Sequence, residues 1–291
     1  MVNKSKILVT GANGQLGKEL KQLASLYPQF EFIFLSREDM PIHHFELVRN
    51  FFKITKPQYC INCAAYTTVD RAETEKELAF RINSEALGVL AAICKEYLTK
   101  FIHISTDYVF DGTATTPYKE DSLTNPQCVY GASKLEGEKQ ALQLNPGSVI
   151  IRTSWVYSEF GNNFVKTMLK LMSERKELNV VNDQVGSPTY AADLAEAVMQ
   201  IISSEQWSPG IYNYCNDGFI SWYDFAVTIK EFTGSNCKVN PIPTSQYPSL
   251  AKRPMYSVLD TTRIKQTFGI SVRNWKKSLK ICLTRLKENK R

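Results

Sequence analysis

Tyr130 and Lys134, four residues apart in the run YGASKLEGE (130–138), are the side chains of this chain best suited to moving a proton. On a helix they share one face, so an ammonium can lie beside a phenol and favour phenolate. A free phenol titrates near 10, and bringing it toward 7 corresponds to about 4 kcal/mol of differential stabilisation. The pair is therefore expected to act as a tuned acid. Upstream, the apolar stretch ending Ile104-Ser105-Thr106-Asp107 places a hydroxyl at the carboxyl end of a predicted strand. Open α/β sheets bind ligands at that end, and Thr106 can donate there to a carbonyl oxygen. Thr106, Tyr130 and Lys134 form the expected catalytic set.

Such a set needs a hydride source. Gly11, Gly14 and Gly17 in GANGQLG follow the apolar run Ile7-Leu8-Val9-Thr10. That pattern opens a strand–turn–helix unit whose helix N-terminus seats a dinucleotide pyrophosphate. The two motifs together predict hydride transfer between a nicotinamide dinucleotide and a carbonyl. The second predicted strand runs into Ser36-Arg37-Glu38-Asp39. Arg37 favours the 2′-phosphate of NADPH, while the adjacent carboxylates leave NADH open.

Apolar runs of strand length at 6–10, 30–35, 58–64, 100–106 and 148–153 alternate with helical patterns, among them Leu16/Leu20/Leu23 and the stretch 75–97. Near-continuous apolar strands joined by helices predict an α/β fold, a Rossmann-like doubly wound parallel sheet covered on both faces. Past Trp155 the alternation weakens and prolines punctuate the chain. A smaller substrate-binding lobe is expected there, built from a helix over 162–174, the region around 221–234 and the stretch from about 240. A helix over 191–202 and a strand over 210–214 should return to the sheet. The dinucleotide-binding part is thus 1–154 with return segments at about 191–216, and 155–291 is mainly the interleaved lobe.

The net charge of +6 is concentrated in residues 272–291, where eight basic side chains face only Glu288. The body is near neutral, so nucleic acid is not expected as a partner, and the tail reads as a solvated helix face. No apolar run approaches a membrane span, and no leader-like segment precedes the first strand, so a cytoplasmic protein is expected. Seven scattered cysteines fit reduced thiols. Cys60 and Cys63 fall in one predicted strand, where positions i and i+3 point to opposite faces and cannot pinch a metal.

The segments GANGQLG (11–17), NCAAYTTVDRAE (62–73), STDYVFDG (105–112), YGASKLEGE (130–138), RTSWVY (152–157), VVNDQVGSPTY (180–190) and RPMYS (253–257) resemble the extended short-chain dehydrogenase/reductase family. The likeness spans nearly the whole chain and is strongest to the branch that reduces dTDP-linked 4-keto-6-deoxyhexoses. It implies a dTDP-sugar substrate, with Tyr130 as proton donor to the C4 oxygen and Lys134 on the nicotinamide ribose. By the same resemblance Gly11, Asn13, Gly14, Gln15 and Leu16 hold the pyrophosphate, and Ala64, Ala65, Tyr66 and Thr67 form a second cofactor segment. Thr106, Asp107, Trp155, Asn163 and Arg253 are implied substrate contacts, with Gln184 a weaker candidate.

The chain departs from the family pattern in two places. Met40-Pro41-Ile42 stands where relatives carry an adenine-contacting aspartate, and proline offers no side-chain acceptor. Some members dimerise through magnesium-bound carboxylates; Glu19 matches one such position, but Ala192 replaces another. Magnesium and a homodimer are left open, and no metal site is assigned. Four other readings compete, a C4 epimerase on the same scaffold among them. A dehydratase would carry a second carboxylate directly after Asp107, where Tyr108 stands. A reductase of another deoxyhexose would differ only in pocket shape, and a non-catalytic dinucleotide-binding subunit would not need Thr106, Tyr130 and Lys134 together.

Overall fold

The structure is a computed structural model that describes residues 4–204 and 206–288. Strand β1 (Ser5–Thr10) lies between β2 (Phe30–Leu35) and β3 (Tyr59–Asn62). Beyond β3 come β4 (Lys100–Thr106), β5 (Val149–Thr153) and β6 (Gly210–Asn213), giving the order 2-1-3-4-5-6 with every pair parallel. Ile7, Leu8, Val9, Ile102, Val149, Ile150 and Ile151 are all but inaccessible. Burial on both faces explains why these strands read as unbroken apolar runs rather than alternating ones.

Helices α1 (Gln15–Leu23) and α6 (Ala191–Ser203) cover one face, packing Leu16, Leu20, Leu194 and Val198 onto Ile7, Val9 and Ile61. The other face is covered by α2 (Phe45–Thr55), α3 (Ala86–Glu96) and α4 (Val129–Leu144), which meet Leu8, Cys60 and Phe101. Cys60 and Cys63 pack into opposite layers, as their spacing on a strand requires, and all seven cysteines are free thiols. The third strand is shorter than 58–64 because the chain leaves the sheet after Asn62 and turns along its edge.

The smaller lobe joins α5 (Phe164–Glu174), α7 (Trp222–Thr233) and α8 (Trp275–Glu288) around Tyr157, Met168, Tyr190, Phe225 and Trp275. A two-stranded parallel ladder of Glu177–Val181 with Lys238–Ile242 flanks them. Helix α7 is sharply delimited. Ser221 and Asp224 form a reciprocal capping box at its start, and Gly234 ends it at φ +68°.

The basic tail is not simply a solvated face. Arg273 pairs with buried Asp193, and Arg285 Nη1 donates to Tyr190 Oη at 3.0 Å and to Glu159 Oε1 at 3.4 Å. Arg285 also approaches Glu19 at 3.9 Å, in a small depression that Ala192 lines too. The lysines of α8 stay exposed, while Lys290 and Arg291 lie outside the described residues. Among the described residues no helix is long and apolar enough to cross a membrane.

Candidate active site

The sheet order reverses between β1 and β3, so the connections after these two strands leave to opposite sides and open a crevice. Gly11 stands at its base with φ +68°, and a Cβ there would lie 2.6 Å from the backbone nitrogen of Ala64. Only glycine lets the two loops meet backbone to backbone. Gly14 precedes α1 without any side-chain cap, which leaves the first-turn N–H groups of that helix to be satisfied from outside. Asn13 and Gly14 are exposed there and Leu16 is buried. This uncapped helix start beside a cradle that a Cβ would fill fits a pyrophosphate.

Gln15 and Asn163 act on each other. Asn163 Nδ2 donates to Gln15 Oε1 at 2.9 Å and to the Ser158 carbonyl at 2.8 Å, while its Oδ1 caps α5 through the Lys166 N–H at 3.1 Å. Asn163 thereby ties the lobe to the glycine loop. Both ends of its amide are engaged by protein.

At the end of β2, Ser36 N–H donates to Asp39 Oδ2 at 2.9 Å and Asp39 N–H donates to Ser36 Oγ at 3.3 Å. These bonds close the turn and hold the Asp39 carboxyl below its usual range. Arg37 is exposed and makes no ion pair among the described residues. Met40 and Ile42 are core residues, so the segment lacking the family's aspartate serves packing instead.

The segment after β3 is clamped by Asn83, whose Oδ1 accepts from Tyr66 N–H at 2.8 Å and whose Nδ2 donates to the Tyr66 carbonyl and to Ser133 Oγ, both at 3.0 Å. Asn83 lies in a π-helical turn, Arg81–Glu85, that interrupts the helix expected over 75–97. The wider turn aims Asn83 inward at the site. Ala64 and Ala65 are partly exposed and Thr67 is exposed, but the Tyr66 phenol turns away to donate to Glu75 at 2.6 Å. With its backbone clamped by Asn83 as well, Tyr66 has its phenol and its N–H both engaged by protein.

Helix α4 starts where Glu73 accepts from Val129 N–H at 2.8 Å, and a Cβ on Gly131 would sit 2.2 Å from the Tyr108 carbonyl oxygen. This close approach brings Tyr130 against the end of β4. Its ring meets Tyr108 edge-on at 5.5 Å, and Thr106 is among the polar groups near its hydroxyl. Thr106 Oγ1 in turn donates to Asp107 Oδ1 at 3.0 Å. Asp107 is buried, and burial raises its carboxyl to about 6 against nearby hydroxyls, so it steadies Thr106 from behind.

The electrostatics differ from the sequence expectation. Lys134 Nζ donates to the Ile104 carbonyl at 2.7 Å and meets His103 Nε2 at 2.8 Å, directed at β4. Burial lowers the lysine from 10.5 to about 7, with Glu138 one turn along opposing it. Burial pushes Tyr130 upward instead of down. Desolvation disfavours the phenolate, and Lys134, itself disfavoured as a cation by burial, is directed at β4. Lys134 also couples stability to pH. Between about 7 and 10.5 the unfolded chain holds a proton that the folded chain does not, so its contribution to stability rises with pH across that window and is flat, at its least favourable, below it. Lys134→Met should flatten the rise in melting temperature with pH over this range.

Beside Tyr108 opens a cavity of about 690 Å³, bordered by Trp155, Phe164, Gln184, Trp222 and Arg253. Trp155 holds a positive φ of +47° and lies face to face on Trp222, their ring centroids 3.5 Å apart. Trp222 was not among the residues singled out in the sequence; its only signal there is its place at the start of a predicted helix. Arg253 pairs with Asp70 at 2.7 Å, and Gln184 Nε2 donates to Thr244 Oγ1 at 3.0 Å. Among the described residues no group of three or more His, Cys, Asp or Glu gathers as for a metal.

A parallel sheet with a glycine turn at its switch point, and a cavity opening beside Tyr108 at the end of β4, define an oxidoreductase of the extended short-chain dehydrogenase/reductase kind. The family model described as RmlD substrate binding domain matches residues 5–288. A dTDP-4-dehydrorhamnose reductase of Aggregatibacter actinomycetemcomitans is 43% identical over 95% of this chain and 97% of its own length. Among solved structures, the Clostridium acetobutylicum dTDP-4-dehydrorhamnose reductase superposes with a TM-score of 0.93 at 45% identity, covering 97% of this chain and 99% of that one. The Bacillus anthracis enzyme in complex with NADP gives 0.93 at 36%, covering 97% and 100%. The chain belongs to the dTDP-4-dehydrorhamnose reductase family.

Proposed function

We propose that this protein reduces the C4 keto group of dTDP-4-dehydro-6-deoxy-L-mannose to give dTDP-L-rhamnose, with NADPH as the preferred reductant. The observation that carries the reading is the placement of Tyr130 at the end of β4, edge-on against Tyr108, which borders the aromatic cavity. A bound nicotinamide coenzyme supplies the hydride. Thr106 orients the ketone oxygen, and Tyr130 gives its O–H proton to the alkoxide that forms there. An alkoxide is far more basic than a phenol, with a parent alcohol near the roughly 16 of water. A tyrosine raised above 10 therefore still donates downhill, and its elevated value keeps it protonated and ready.

Lys134 serves on the coenzyme side and returns a proton to Tyr130. The lobe built mainly from 155–291 holds the sugar nucleotide, with Trp155 and Trp222 as a flat wall and Arg253 as a cation for the diphosphate. For the coenzyme, Asp39 is engaged in its own turn while Arg37 is not, which supports a 2′-phosphate partner. Arg37→Ala should weaken NADPH binding roughly 10- to 100-fold, the range for a lost charged hydrogen bond, and leave NADH nearly unaffected. Fluorescence titration with both coenzymes measures this. The overall reading is tested by incubating the protein with the 4-keto sugar nucleotide and each reduced coenzyme, then analysing product by NMR. dTDP-L-rhamnose formed faster with NADPH supports it; the C4 epimer, or no coenzyme oxidation, refutes it.

A further inference from the structure

A buried polar row crosses three strands behind the catalytic cluster. Thr10, Asn62 and His103 are register partners on β1, β3 and β4, and each is 1% exposed. Asn62 Oδ1 accepts from the Thr10 hydroxyl at 2.5 Å and from the Ala64 N–H at 3.2 Å. A backbone N–H can only donate, so the amide is fixed with its oxygen on that side. Asn62 Nδ2 then faces His103 Nδ1 at 2.9 Å as a donor. Burial, reinforced by the neighbouring Lys134, keeps the imidazole neutral well below 6.5. A neutral imidazole has one N–H and one lone pair. With the Nδ1 lone pair taken by Asn62, the proton sits on Nε2, and Nε2 lies 2.8 Å from Lys134 Nζ. An ammonium has no lone pair to receive that hydrogen; a neutral amine has one.

We propose that His103 is a positioning residue for Lys134, locked by Asn62 as its Nε2–H tautomer so that it hydrogen-bonds to the neutral amine and readies the lysine ammonium to release a proton. The inference rests on the proposed role of Lys134 in turnover. In that cycle Tyr130 becomes phenolate as the alkoxide takes its proton. The phenolate regains a proton as Lys134 passes from ammonium to amine, and the freed lone pair on Nζ accepts His103 Nε2–H. No electrons move in this step, and a proton from solvent restores the ammonium. The other groups facing Lys134 are Glu138 on its own helix and Cys63 after β3. Glu138 is held by Arg152, so the tautomer is the feature that one substitution can reverse.

Asn62→Asp keeps an oxygen for Thr10 and Ala64 but replaces the amide donor with a carboxylate that draws the imidazole proton to Nδ1. His103→Phe removes the donor to Lys134 without adding charge. Long-range ¹H–¹⁵N spectra report the His103 tautomer, and ¹³Cε-lysine titration reports Lys134, both on the whole protein without substrate. Expected are an Nε2–H tautomer in the wild type, an Nδ1–H tautomer in Asn62→Asp with at least a tenfold rise in the proton affinity of Lys134, and a smaller rise in the same direction in His103→Phe. An Nδ1–H tautomer in the wild type, or a Lys134 titration unmoved in both variants, overturns the proposal. Both readouts are independent of whether the sugar nucleotide is turned over, so failure here is distinct from failure of the proposed reaction.

Discussion

Tyr130→Phe should lower kcat by about 10²- to 10⁴-fold, the usual contribution of a positioned proton donor, while coenzyme affinity stays nearly unchanged. The phenyl ring preserves the edge-on contact with Tyr108 and the start of α4, so only the O–H is lost. That group acts on the alkoxide as it forms, a state that exists only at and beyond the transition state, so the loss falls on kcat rather than on ground-state binding. Steady-state coenzyme oxidation and fluorescence titration separate the two. The pH dependence carries a further sign. Because Tyr130 is raised and Lys134 is lowered to about 7, the alkaline loss of activity should follow the lysine and not the phenol. Near-normal turnover in Tyr130→Phe would remove this residue from the reaction.

Arg152→Met should destabilise the protein by about 3–5 kcal/mol. Arg152 on β5 and Glu138 on α4 form an ion pair at 2.7 Å whose side chains are 3% and 2% exposed. Glu138 also accepts from Ser105, next to Thr106, and Arg152 Nη1 donates to the Glu120 carbonyl at 3.1 Å. Removing the guanidinium leaves a buried carboxylate without its counter-charge, which costs more than the intact pair contributes. The loss is a large share of the 5–15 kcal/mol that holds a typical domain together. Urea unfolding measures it, and replacing Glu138 by Leu as well should restore much of the loss, because an apolar pair of similar volume no longer buries a charge.

The sequence was informative wherever chemistry depends on local spacing. Gly11 to Gly17 after an apolar run, Tyr130 and Lys134 one turn apart, and Thr106 at a strand end are each visible within a few residues. Strand β4 falls where its apolar run places it, because burial on both faces leaves few polar interruptions; the edge strand β2, only partly buried, still matches the run 30–35. What stayed hidden depends on register between distant segments. Nothing near His103 announces that Asn62 will stand opposite it, since that pairing exists only once β3 and β4 align. Asn83 was hidden for a similar reason: the π-turn that aims it at Tyr66 is paid for by tertiary contacts rather than by any residue in 81–85. Asn163 carries a second role that its motif did not announce, as the cap of α5 and a tie to Gln15. The burial of Tyr130 and Lys134 was hidden too, because helical spacing says where a cation sits and not how much water surrounds it.

In the proposed reaction Tyr130 supplies the proton as hydride reaches C4. Single-turnover oxidation of NADPH by the 4-keto sugar nucleotide, followed in H₂O and in D₂O, tests it most directly. The wild type should slow clearly in D₂O, and Tyr130→Phe should lose most of its rate in both solvents. A wild-type rate indifferent to deuterium, together with a Tyr130→Phe rate close to it, would contradict the claim.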